Sequence, residues 1–237
     1  MKDTLDLFFF GVYPYIALTV FFVGSLLRFE REQYTWKSDS SQLLRRGSLR
    51  WGGNLFHIGI ISLFFTHLVG LLTPPAVYHA FGVTTEFKQM MAIVVGAILG
   101  VVCLIGLLLL IHRRWSEIRL AHNSNLSDWV TLLWILLVLV VGLVSIFTSV
   151  RHTDGAVMIQ LGEWAQRIVT FRGGAVELLA EASWVFKLHM FLGMTVFLVF
   201  PFTRLVHVWS GFGTLAYVAR PYQVVRNRRL GVPGNSR

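Results

Sequence analysis

The sequence predicts an all-α membrane protein with five transmembrane helices, and three observations support this prediction. Hydrophobic residues make up 55% of the 237 residues. Charged residues make up only 14%, whereas soluble domains carry about a quarter. The mean hydropathy is +0.64. A soluble globule of this size cannot bury so much apolar surface, so the chain is expected to cross a lipid bilayer several times.

Five apolar segments are long enough to span about 30 Å of hydrocarbon at about 1.5 Å per residue. In chain order they cover residues 5–27, 51–73, 90–111, 129–150 and 184–209. Tryptophans stand at segment ends, where interfacial aromatic residues concentrate: Trp51, Trp129, Trp184 and Trp209. The whole chain, residues 1–237, is interpreted as one integral-membrane domain.

Each segment has its own justification. The first carries Asp3 and Asp6 where a signal peptide has basic residues, so it is expected to be retained as a helix loosened at Pro14. The third and fourth contain no charged residue and are the clearest spans. The third also holds the single cysteine, Cys103, which is expected to be a small core or lipid-facing residue. The fifth is the least apolar because it contains four basic residues: Lys187, His189, Arg204 and His207.

The basic residues predict the orientation of the chain. They concentrate in the loops 28–50 and 113–128 and in the tail 210–237. The positive-inside rule therefore places the N-terminus outside and the C-terminus in the cytoplasm. Charge distributed in this way does not indicate a nucleic-acid partner. In the outer loop 151–183, apolar residues recur at helical spacing over 156–171, which predicts a short helix that caps the bundle or, alternatively, lies in the membrane interface.

Four histidines lie inside the predicted spans: His57 and His67 in the second, His189 and His207 in the fifth. The second span runs outward and the fifth runs inward. By depth, His57 therefore pairs with His207 near the cytoplasmic face, and His67 pairs with His189 near the outer face.

The spacings test this pairing. Eighteen residues separate His189 from His207, which is five helical turns, so both rings leave one face of a continuous helix. Ten residues separate His57 from His67, about 80° from a common face. The separations along the axes, about 27 Å and about 15 Å, do not match. The pairing therefore requires tilted helices or tilted rings.

Neutral imidazoles from two facing helices suit the axial positions of haem iron, and a porphyrin fits between the helices of a bundle. Zinc would require further ligands, but no cysteine or carboxylate accompanies these pairs. Because C-x-x-C-H does not occur, two non-covalent b-type haems are predicted. Gly59, Gly70 and Gly193 are expected to make room for the macrocycles. The alternatives are histidines that hydrogen-bond between helices, and a proton-relay transporter, for which buried acidic residues would be expected.

The segments FFFGVYPYIALTVFFVGSLLRFEREQYTW, RWGGNLFHIGI, FFTHLVGLLTP and KLHMFLGMTVFLVFPFTRLVHVWS resemble the gamma subunit of respiratory membrane-bound nitrate reductase. The resemblance extends over nearly the whole chain, including DGAVMIQLGEWAQRIVTFRGG and RPYQVVR. It implies a five-helix di-haem cytochrome b of the bacterial cytoplasmic membrane. It also implies that His67 and His189 hold the outer haem, and that His57 and His207 hold the inner one.

The resemblance further implies that menaquinol or ubiquinol is oxidised near the outer haem, with its protons released outside. Electrons would pass to the inner haem, then to an iron–sulfur beta subunit and a molybdenum-containing alpha subunit that reduces nitrate in the cytoplasm. Lys88 matches the quinol-site lysine of the family. Thr66 stands where relatives are expected to have glycine and would reshape the quinol pocket. Arg204 is expected to contact an inner-haem propionate or to extend to the cytoplasmic face.

Two alternative functions stay open at this point. The same scaffold would equally serve a sulfite-, heterodisulfide- or formate-linked oxidoreductase. A haem-free membrane anchor or transporter is the more distant alternative. The residues past Arg226 extend beyond the expected family length, and no role is assigned to them.

Overall fold

The computed structural model describes residues 2–31, 46–117, 125–151 and 154–209, and every regular element in these ranges is helical. We number the α-helices α1 to α8. They cover Lys2–Leu7, Tyr13–Arg31, Arg46–Leu72, Pro75–Ala80, Thr85–Ser116, Leu126–Val150, Ala156–Val169 and Trp184–Val199. A π-helical turn covers Phe8–Val12, and 3-10 turns cover Glu177–Leu179, Phe200–Phe202 and Arg204–Val206. The predicted cytoplasmic tail, residues 210–237, lies outside the described residues. So do two of the histidines that are not in the predicted spans, His122 and His152.

Five helical stretches are long and apolar enough to cross a membrane: Thr4–Arg31, Arg50–Leu72, Thr85–Ser116, Leu126–Val150 and Trp184–Phe202. The prediction of an all-α, multi-pass membrane protein with five spans is confirmed. Helices α3, α5, α6, α8 and α2 pack side by side in that order, so α3 and α2 lie at the two ends of the series.

Capping residues determine where the third and fourth spans begin. The Thr84 hydroxyl accepts the backbone N–H of Phe87 at 3.2 Å, so α5 starts five residues before the predicted boundary at 90. Helix α6 starts with a capping box in which Asn125 and Asp128 each bond the other's backbone N–H. These caps satisfy amide groups that a helix end would otherwise leave unpaired.

The first span is loosened around Pro14. Proline has no N–H, so in a regular helix the carbonyl of Phe10, four residues earlier, loses its hydrogen-bond donor. The indole N–H of Trp164 in α7 donates to that carbonyl at 3.0 Å. Trp164 and Ile168 are both 4% exposed. Helix α7 therefore caps the end of the bundle at which the first span begins, as the apolar spacing over 156–171 predicts.

Small residues allow α3 and α5 to approach closely. A Cβ atom on Gly59 would lie 2.6 Å from the Cβ of Cys103, and one on Gly106 would overlap the backbone of Phe56. Cys103 is fully buried, so it belongs to the core rather than to the lipid-facing surface. The prediction that Gly59 makes room for a macrocycle is wrong, because Gly59 faces the neighbouring helix.

The fifth span is interrupted. Helix α8 ends at Val199, a 3-10 turn that contains Pro201 follows, and Thr203 is extended at φ −119° and ψ 176°. After a second 3-10 turn at Arg204–Val206, the chain becomes α-helical again only at His207. The prediction of one continuous helix over 184–209 is therefore wrong. Proline accounts for part of the interruption because it disfavours helical continuation.

Candidate functional site: two histidine pairs between the second and fifth spans

The four histidines of the second and fifth spans meet in two pairs. The ring centres of His67 and His189 are 6.0 Å apart, with 47° between the ring planes. Those of His57 and His207 are 6.2 Å apart, with 77° between the planes. In continuous helices, His189 and His207 would be about 27 Å apart along the axis, but His57 and His67 only about 15 Å. The interruption after Val199 accounts for this difference, because His207 does not continue the axis of α8.

Three of the rings are oriented by backbone carbonyls. The Nδ1 atoms of His57, His67 and His207 lie 2.7, 2.7 and 2.6 Å from the carbonyl oxygens of Gly53, Leu63 and Arg204. A carbonyl oxygen only accepts hydrogen bonds, so Nδ1 carries the hydrogen in each ring. The lone pair is therefore on Nε2, the tautomer that a metal-binding histidine with an Nδ1–H hydrogen bond requires.

His189 is positioned differently. Its Nδ1 is fully buried and makes no hydrogen bond of ordinary geometry to any residue that the structure describes. A Cβ atom on Gly142 of α6 would lie 2.7 Å from His189 Cε1 and 3.3 Å from Nδ1. The ring therefore packs directly against the Gly142 backbone, and a side chain at that position would displace it. Sequence reasoning did not identify Gly142 because it lies on a different span.

Open space borders both pairs. Cβ atoms on Gly53, Gly70 and Gly193 would meet no described atom within 4 Å. Gly53 and Gly193 lie one turn from His57 and His189, and Gly70 lies one turn from His67, so each glycine shares a face with a paired ring. Helix α3 packs chiefly on α5, while α8 packs on α6 and α2. A flat group is therefore free to enter between α3 and α8.

The ring distances fit two imidazoles on opposite sides of one metal ion. With metal–nitrogen bonds of about 2 Å, the ring centres in such an arrangement are about 6 Å apart. Among the described residues, no group of three or more His, Cys, Asp or Glu side chains is placed to hold a metal ion. A structural zinc site takes four protein ligands, whereas axial ligation of a haem iron needs only two residues.

Lys88 and Thr66 lie near the C-terminal end of α3. The ammonium of Lys88 donates to the carbonyl of Thr73 at 3.2 Å and lies 4.2 Å from the ring centre of Tyr78. The Thr66 hydroxyl donates to the Leu63 carbonyl at 2.9 Å, and the same oxygen accepts from Nδ1 of His67. The residue at position 66 therefore shares an acceptor with the neighbouring histidine, a connection that the sequence did not reveal.

Arg204 contacts an acidic residue of another span. Its guanidinium contacts the carboxylate of Asp128 at 2.7 Å (Nε to Oδ1) and donates to it at 3.1 Å (Nη2 to Oδ2). Asp128 is 7% exposed. Sequence reasoning missed this partner, because Asp128 belongs to the start of α6 and only the fold brings it next to the fifth span.

Comparison with known proteins identifies the family. The family model for the nitrate reductase gamma subunit matches residues 6–228. The chain is 49% identical over 230 residues to the respiratory nitrate reductase 2 gamma chain of Escherichia coli K12, covering 97% of this chain and 100% of the relative. It is 45% identical over 224 residues to the respiratory nitrate reductase 1 gamma chain of the same organism, covering 94% and 98%.

A more distant relative agrees. The nitrate reductase gamma chain of Bacillus subtilis strain 168 is 36% identical over 218 residues, which cover 92% of this chain and 96% of the relative. This chain belongs to the nitrate reductase gamma subunit family.

Proposed function

We propose that this chain is the quinol-oxidising di-haem b subunit of a bacterial nitrate reductase. The outer and inner haems, when bound, would connect menaquinol or ubiquinol with an iron–sulfur beta subunit and a molybdenum-containing alpha subunit. The observation that carries the proposal is the meeting of four intramembrane histidines in two pairs, at 6.0 and 6.2 Å between ring centres. The two pairs lie at different depths along the spans. Haems held there would form a path for electrons across the bilayer.

Each haem iron, when bound, supplies one-electron transfer. The chain supplies the axial imidazoles: His67 and His189 for the outer haem, His57 and His207 for the inner one. The Nδ1–carbonyl hydrogen bonds of His57, His67 and His207 leave the Nε2 lone pair free, and they would increase the basicity of Nε2 as a ligand. His57 and His67 are separated by about 15 Å along α3.

The proposed orientation has the N-terminus outside and the C-terminus in the cytoplasm. Arg28 and Arg31 end α2, and Arg113 and Arg114 end α5. Both helix ends would lie at the inner face, as the positive-inside rule requires. The inner histidine pair then lies nearest to the cytoplasmic subunits, and the membrane is the bacterial cytoplasmic membrane.

Lys88 is the proposed hydrogen-bond donor to a quinol oxygen. An ammonium has three hydrogens, and Thr73 takes one of them. The others are available to a headgroup that enters beside the outer end of α3. Thr66 would shape the same pocket, because it precedes His67 and its hydroxyl is held on the Leu63 carbonyl.

Replacing Lys88 with methionine tests this role. Loss of a charge-assisted hydrogen bond is expected to lower quinol-driven nitrate reduction about 10- to 100-fold, while both haems stay bound. Menadiol-driven nitrate reduction in membranes is the measurement, with dye-driven nitrate reduction as the check that the catalytic subunit is intact. Glu86→Gln, an exposed neighbour on the same helix turn, is the matched control. Unchanged quinol kinetics in Lys88→Met would remove Lys88 from the proposed site.

A further inference from the structure

The segment that carries His207 lies beyond the end of α8, so the hydrogen bonds of that helix do not hold it in position. Two backbone N–H groups in this segment do not bond the carbonyl four residues earlier, as they would in an α-helix. The N–H of Leu205 bonds the Thr203 hydroxyl at 3.3 Å instead of the Pro201 carbonyl. The N–H of His207 bonds the carbonyls of Arg204 and Leu205 instead of the Thr203 carbonyl. Both the Pro201 and the Thr203 carbonyl therefore lack the amide donor that an α-helix supplies four residues later, and an additional partner stabilises them in a membrane.

Arg28, from the end of α2, supplies that partner. Its Nη1 donates to the Pro201 carbonyl at 2.7 Å and to the Thr203 carbonyl at 2.9 Å. Close packing supports the contact, because a Cβ atom on Gly24 of the same helix would lie 2.9 Å from Pro201 Cγ. The first span therefore binds the interruption by both polar and apolar contacts.

Asp128, at the start of α6, supplies a second attachment. Its buried carboxylate pairs with Arg204 at 2.7 Å, and Nη1 of Arg114 lies 3.7 Å from its other oxygen. Neutralising this carboxylate would leave two arginines next to each other without their shared counter-charge, an arrangement that is strongly unfavourable in a partly buried place.

Both attachments lead to His207. The Arg204 side chain is held by Asp128, and the Arg204 carbonyl accepts Nδ1–H of His207 at 2.6 Å. His57 and His67 instead use acceptors four residues earlier in an uninterrupted helix. The orientation of His207 thus depends on contacts with other spans, whereas the orientation of His57 and His67 is local.

We propose that Arg28 and Asp128 are positioning residues for the inner haem. Together they form a clamp, defined here as Arg28 on the Pro201 and Thr203 carbonyls and Asp128 on Arg204, that fixes the direction of the His207 ring. This inference rests on the proposed function, because it takes His207 to be a ligand of the inner haem. Neither residue touches the metal site itself, so their effect reaches it through His207.

Arg28→Gln and Asp128→Asn, each in the intact complex, test the clamp. The readouts are the redox midpoint and the low-spin electron paramagnetic resonance signal of each haem. His207→Ala identifies the inner-haem signal by its loss. We expect both clamp variants to shift or remove the inner-haem signal and to leave the outer-haem signal as in the wild type. Arg28→Lys, which keeps a donor at this position, is expected to restore part of the inner signal. Arg31→Gln, an exposed arginine one turn away, is expected to change neither.

Two results would overturn the clamp: an unshifted inner-haem signal in Arg28→Gln and Asp128→Asn, or equal loss of both haems in Arg28→Lys, which would indicate a general folding role. The proposed function fails separately. If His207→Ala retains both haems, the ligand assignment is wrong. If His207→Ala loses one haem while the clamp variants match the wild type, only the clamp is wrong.

Discussion

Replacing His67 with alanine is expected to remove the outer haem, to retain the inner one, and to abolish quinol-driven nitrate reduction. Alanine leaves His189 as the single remaining ligand, whereas the proposed outer haem requires two. The inner pair lies about 15 Å away along α3, so its own ligands are unchanged. Haem content per purified complex is the measurement, and it should fall from two haems to one.

His79→Ala is the matched control for that variant. His79 lies in α4 and bonds the Thr85 hydroxyl at 3.2 Å, but it belongs to neither histidine pair. It should keep both haems. A His67→Ala complex with two intact haems would refute the assignment of the outer pair.

Replacing Gly142 with leucine is expected to remove the outer haem without touching any histidine. The added Cβ would lie 2.7 Å from His189 Cε1, well inside contact distance, so the ring must leave its present position opposite His67. A displaced axial ligand cannot complete the pair at about 6 Å that a shared metal ion requires. Optical and electron paramagnetic resonance spectra of the purified complex should show one altered or missing haem and one unchanged.

Gly96→Leu provides the comparison. A Cβ atom on Gly96 meets only Ile146 Cδ1, at 3.8 Å, which is ordinary contact. Both haems should therefore be retained. If Gly142→Leu also retains two unperturbed haems, the close packing of His189 on the α6 backbone does not determine its position.

The five spans and the two histidine pairings could be predicted because they depend on quantities that the sequence contains. Segment length and hydropathy determine the spans. Alternating helix direction determines which histidines share a depth. Neither inference requires knowledge of how neighbouring helices touch.

The interruption of the fifth span could not be predicted in the same way. Pro201 signals a possible break, but proline also occurs inside membrane helices, as Pro14 does here. What stabilises the break is Arg28, 173 residues from Pro201 in sequence. In the sequence, Arg28 counts only as one of the basic residues to which the positive-inside rule applies. Its hydrogen bonds to the fifth span can be recognised only in the folded chain.

Gly59 and Gly142 also show what the sequence does not specify, namely which neighbouring helix a glycine faces. Both glycines stand in apolar spans, and proximity in sequence to His57 suggested a cofactor role for Gly59. The structure instead packs Gly59 against Cys103 and brings Gly142 against His189. Which helix face a glycine occupies follows from interhelical packing, and a single sequence does not specify that packing.

Quinol-driven haem reduction in membranes that contain the whole complex tests the central claim most directly. Menadiol is added without nitrate while the haem b absorbance is followed, and nitrate is then added. We predict reduction of both haems, prevention of that reduction by a quinol-site inhibitor, and reoxidation by nitrate. Haems that dithionite reduces but menadiol does not, or membranes without any haem b signal from this chain, would contradict the account.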